Sequence, residues 1–148
     1  MIVILIVTES THILEGIKSK KDPPIPSLDD DDFANKAYNY YKKVTCGSKG
    51  AKKATDIFKE IHDAPKEQQD EKRKKYNIWS ILTAAVFNDV LCINKTLTAK
   101  DFGEMGKKMD ENACEDTKRV YTEKDKVPKE IQNLNKKYLT FVNKTSCA

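Results

Sequence analysis

The sequence predicts an all-α fold, a compact bundle of five or six short helices stapled by two disulfides. Three observations carry this. From residue 33 almost to the end of the 148-residue chain, apolar residues recur at intervals of three and four, the repeat of one helix face. No segment alternates apolar and polar residues between turn signals as a strand or hairpin would. Four cysteines, Cys46, Cys92, Cys114 and Cys147, lie far apart with no C-x-x-C pair. That spacing disfavours metal and thioredoxin-like redox sites and favours structural disulfides formed in an oxidising compartment. At 39% apolar residues the chain can bury a core.

Phe33, Ala37, Tyr40 and Val44 form the first stripe. The acidic run Asp29–Asp32 lies just ahead of it, where negative charge complements a helix N-terminus. A calcium loop would alternate its ligands and include a turn glycine, which this run does not. The helix should stop near Cys46-Gly47, with glycine free to take the left-handed position after the last turn. Ala51, Ala54, Phe58 and Ile61 predict a second helix ending before Pro65. Residues 66–75 are good helix formers with no apolar face and should project into solvent.

Residues 78–93 hold twelve apolar positions in sixteen and read as a helix surrounded by others. Thr98 and Asp101 resemble a capping box opening a helix with Phe102, Met105 and Met109 inward. Gly103 and Gly106 on it either weaken the helix or permit close packing. Residues 112–126 are polar, a weaker helix or a turn. Pro128 suits a first helical position, and Val127, Ile131, Leu134, Tyr138 and Phe141 follow as a clean inward stripe.

If successive helices alternate direction, Cys46 and Cys92 fall at one pole. Cys114 and Cys147 share another if 115–126 runs back. The expected pairing is therefore Cys46–Cys92 and Cys114–Cys147, each worth about 2–4 kcal/mol through the unfolded chain.

The chain divides into a signal-like segment 1–10, a Pro/Asp-rich arm 11–32 and a single helical domain 33–148. Met1 to Val7 is an unbroken apolar run followed by Thr8-Glu9-Ser10-Thr11, like the core of a secretory signal without its positive leader. The alternative, a buried strand, has no downstream strand to pair with. Pro23-Pro24-Ile25-Pro26 makes the arm non-helical. No apolar run approaches the roughly 18–20 residues of a membrane span. Two sequons, at Asn94 and Asn143, fit an exported glycoprotein.

The net charge of +4 is unevenly spread. Residues 1–35 carry −4, residues 36–75 carry +6 and residues 76–148 carry +2. The basic field peaks at Lys72, Arg73, Lys74 and Lys75, either a polyanion-binding patch or a solvated helix face. Glu67, Asp70 and Glu71 nearby favour the solvated face.

No nucleophile elbow, phosphate loop, zinc-protease or dinucleotide motif occurs. The histidines are His12, in the arm, and His62. His62-Asp63, with Cys46-Gly47 upstream, is similar to the His-Asp dyad of secreted phospholipases A2. That family sets its histidine beside paired cysteines and carries a glycine-rich calcium loop, and both are missing here. His62 reads instead as a cation at a helix C-terminus. Tyr38, Tyr40, Tyr41, Lys42 and Lys43 mix aromatics with positive charge as single-strand nucleic-acid binders do. Tyr40 lies on the buried stripe, however, and export separates the chain from nucleic acid.

Binding remains. Phe87, Met105, Met109, Tyr138 and Phe141 line either a ligand cavity or a filled core. The cysteine spacing does not match that of insect odorant-binding proteins. The general look is similar to small secreted effectors of parasites, venoms and arthropod saliva, a likeness of class with no motif behind it. The expectation is a secreted, non-enzymatic, cofactor-free protein that binds another protein through its charged surface. A carrier of a small hydrophobic ligand is the alternative, and a small hydrolase comes third.

Overall fold

The computed structural model describes residues 22–148. The signal-like segment 1–10, His12 and the arm as far as residue 21 lie outside the described residues. Residues 22–32 run without helix through the prolines, with Pro26 buried and Ile25 against the core. Asp22 pairs with Lys137 at 3.0 Å.

Seven helices follow, and no strand occurs among the described residues. They are α1 (Phe33–Thr45), α2 (Lys49–Asp63), α3 (Lys66–Lys74), α4 (Ile78–Asn88), α5 (Ala99–Lys108), α6 (Glu111–Thr122) and α7 (Lys129–Lys144). A single π turn, Asp89–Ile93, extends α4. The count exceeds the expected five or six because both polar stretches form helices of their own. α3 buries none of its residues, in keeping with helix formers that lack an apolar stripe. α6 is capped by Asp110, which accepts from the Ala113 amide at 2.8 Å, and it buries Cys114 and Tyr121. Two inward residues seven apart are too sparse to read as a stripe.

Local chemistry sets the other boundaries. Gly47 takes φ +80° after α1, the left-handed conformation glycine adopts most readily. Ser48 caps α2 by accepting from the Ala51 amide at 3.1 Å. Thr98 and Asp101 form the full capping box of α5. Pro128 stands at the cap position of α7, one place before the first helical residue.

α7 is the axis of the core. Ile131, Leu134, Tyr138 and Phe141 are buried along it as expected, together with Asn135 and Val142. α2 crosses it at Gly50, where an added Cβ would meet the Glu130 carbonyl oxygen and lie 2.9 Å from the Leu134 Cβ. Polar groups also tie α7 to α4 and α4 in turn to α6. The Asn135 amide donates to the Ser80 carbonyl at 3.0 Å, and the Ser80 hydroxyl donates to the Val120 carbonyl at 2.8 Å. The disulfides are Cys46–Cys92 and Cys114–Cys147, closing separations of 46 and 33 residues.

Three inward assignments are corrected. Phe58 is 43% exposed, because its neighbour Ile57 takes the buried place on α2. Met105 is also 43% exposed, at the rim of the core instead of within it. α4 is not surrounded: Trp79 is 69% exposed, Val86 53%, and Ile93 on the π turn 56%. The bundle has too few helices to enclose one that is apolar on every side.

Candidate functional site

Two concavities flank α4, one facing the core and one facing solvent. The inner one is a crevice of about 110 Å³. Tyr41 of α1 is its central wall, with ring centroids 4.9 Å from Phe102, 5.0 Å from Phe87 and 5.0 Å from Phe141. Met105, Met109 and Gly106 of the α5 region stand on the solvent side, and Tyr121 and Thr117 of α6 close another wall. Of the residues proposed as cavity lining, Phe87, Met105, Met109 and Phe141 thus meet around one space. Tyr138 stands behind it as packed core, stacked on Tyr41 at 5.0 Å with its hydroxyl 2.5 Å from that of Thr45.

Burial keeps these phenols neutral. It pushes Tyr121 up to about 12 and holds Tyr41 and Tyr138 well above the ordinary tyrosine range.

The outer concavity is an open groove of about 640 Å³ between α2 and α4. Phe58 and Lys59 form one wall and Val86 and Ile93 the other, over a base at Ala85. The Asn88 amide donates to the Thr55 hydroxyl at 2.7 Å, joining the two helices. His62 extends the apolar wall, its ring parallel to Phe58 with centroids 5.9 Å apart. Asp63 and Asp89 supply negative charge at the edges. Trp79 lies seven residues before Val86, about two helical turns away on the same side.

This face was not read from the sequence. Its signal was the seven-residue spacing of Trp79, Val86 and Ile93, masked because every other side of the segment is apolar too. His62 lies in the last turn of α2 beside exposed Asp63, where the sequence placed it, and it also lines the groove.

The remaining candidates are surface features. Lys72 pairs with Glu60 of α2 at 3.4 Å, while Arg73, Lys74 and Lys75 are exposed. Both sequon asparagines are exposed. Asn94 immediately follows Ile93 at the groove and donates to the Asp89 carboxylate at 2.5 Å. All four thiols are in disulfides, so none offers a thiolate nucleophile. Among the described residues, no cluster of three histidine, cysteine or carboxylate groups could hold a metal ion. No single described helix is long and apolar enough to cross a membrane. No family model, curated protein or solved structure matches the chain.

Proposed function

We propose that this chain is a secreted, glycosylated, non-enzymatic binding protein that engages another protein through the α2–α4 face. The observation that carries the reading is the solvent exposure of Phe58, Trp79, Val86 and Ile93 on one side of the molecule. Large apolar side chains gathered around a groove lower their free energy by leaving water, and such patches mark contact sites. Aromatic anchors with a charged rim are the usual composition of protein interfaces. Lys59, Asp63 and Asp89 supply that rim. Lys72, Arg73, Lys74 and Lys75 add a positive field on α3 that accelerates encounter with an acidic partner, so charge serves approach and the apolar face serves affinity. Two closed disulfides and two exposed sequons suit export to an oxidising compartment.

The reading as a carrier of lipid-sized ligands is weaker. The core crevice, at about 110 Å³, falls well under the roughly 300–1,000 Å³ of ordinary ligand pockets.

Selection of a displayed random-peptide library on the full chain tests the proposal. Enriched peptides should bind the wild type and lose binding to Phe58→Glu and Val86→Glu. They should keep most of their affinity for a variant with Lys72, Arg73, Lys74 and Lys75 all replaced by serine. Peptides indifferent to both groove substitutions, or no enrichment at all, would count against it.

A further inference from the structure

We infer that the inner crevice is a binding site for a single neutral aromatic ring, of the size and polarity of phenol. This is independent of the outer face and requires no protein partner. Size is the first ground. A dry, apolar cavity of about 150 Å³ takes up benzene in another protein, and this crevice, at about 110 Å³, is of that order. It is too small for a fatty chain.

The chemistry of the wall is the second ground. Rings from three other helices converge on Tyr41, and Phe87 and Phe102 are nearly parallel with centroids 6.3 Å apart. Aromatic pairs favour edge-to-face and offset contacts at such separations, so an entering ring meets partners on several sides. The Met105 and Met109 thioethers stand at the solvent side, where flexible sulfur-bearing chains make good contacts with ring edges and can move aside. The lining includes no charged side chain. Its polar groups are hydroxyls, on Tyr41, Tyr121, Thr117 and Ser146. Burial keeps both phenols protonated, so the crevice provides hydrogen-bond donors and acceptors without a counter-ion. That favours a hydroxyl-bearing neutral ring over an ammonium or a carboxylate.

The way in is the third ground. Phe33, Gly106, Met109 and Ser146 line both the crevice and an adjoining open groove of about 530 Å³ beneath Leu28. A ring can therefore enter beside α5 without unfolding the bundle, and a short substituent can point outward.

The test is a titration of the full, disulfide-bonded chain with phenol, followed by methyl and aromatic NMR. Saturable shifts should appear at the Met105 and Met109 methyls and the Tyr121 ring, with the Val86 and Ile93 methyls unmoved. Thr117→Leu fills the crevice and should weaken binding about tenfold or more. Ser146→Leu, where the crevice meets the adjoining groove, should do the same and serves if the first variant fails to fold. Absence of saturable shifts at millimolar phenol would overturn the inference. So would shifts confined to the α2–α4 groove, or unchanged affinity in a folded filled variant.

Discussion

Replacing Gly50 with alanine sets two opposing effects against each other in one side chain. Gly50 sits in the first turn of α2, where alanine should stabilise the helix by up to about 1 kcal/mol. Against this, the added methyl would meet the Glu130 carbonyl oxygen and lie 2.9 Å from the Leu134 Cβ. Neither is the free end of a flexible chain. The carbonyl belongs to the first turn of α7 and Leu134 is 3% exposed, so α2 must move away as a whole. Overpacking of this kind costs about 1–3 kcal/mol, which outweighs the gain in propensity. The expected net loss is about 1–2 kcal/mol, a drop in Tm of roughly 3–6 °C for a chain of this size. Urea unfolding followed by circular dichroism measures it, with Lys52→Ala, an exposed change on the same helix, expected within about 0.5 kcal/mol of wild type. A Gly50→Ala protein as stable as wild type, or more so, would refute the close crossing of α2 and α7.

Alkaline pH should unfold the protein through its tyrosines. Tyr121 is raised by burial from about 10 to about 12, and Tyr41 and Tyr138 are raised as well. A phenol with a raised native pKa contributes stability fully below the unfolded value and loses it as pH rises through the native one. Stability should therefore fall between about pH 10 and 12, by about 3 kcal/mol from Tyr121 alone. Urea midpoints across that range check it, and midpoints that stay level would contradict the burial of these rings. Replacing Cys114 and Cys147 together with serine should cost about 2–4 kcal/mol by freeing a 33-residue closure in the unfolded chain. Denaturation of the double variant measures this, and an unchanged midpoint would contradict the crosslink.

Periodicity and cysteine position told most of the fold. The α7 stripe, the capping box at Thr98 and Asp101, the turn at Gly47 and both disulfide pairings were legible because each depends on local rules or on which end of a helix a residue occupies. What failed were choices between neighbours. Ile57 and Phe58 are both apolar, and only packing against other helices decides which points inward. Tyr41 was left off the inward stripe of α1, yet it is buried beside Tyr40 because that stripe is wider than a single row. The α2–α4 groove was illegible for a related reason. A segment apolar on every side carries no directional signal, so the sequence could not show which side the small bundle leaves uncovered. The crevice was half legible. Four of its residues were named in advance, but its size depends on how completely the rings fill the space between helices.

The fluorescence of Trp79 tests the central claim, binding through the α2–α4 face, most directly. It is the chain's single tryptophan and is 69% exposed beside Val86. Free in solution, its emission should be that of a hydrated indole and readily quenched by acrylamide. When a library-selected peptide binds, the emission should shift to the blue and the quenching should fall by several fold, with both changes absent in Val86→Glu. A bound peptide that leaves the emission and quenching of Trp79 unchanged would contradict the account.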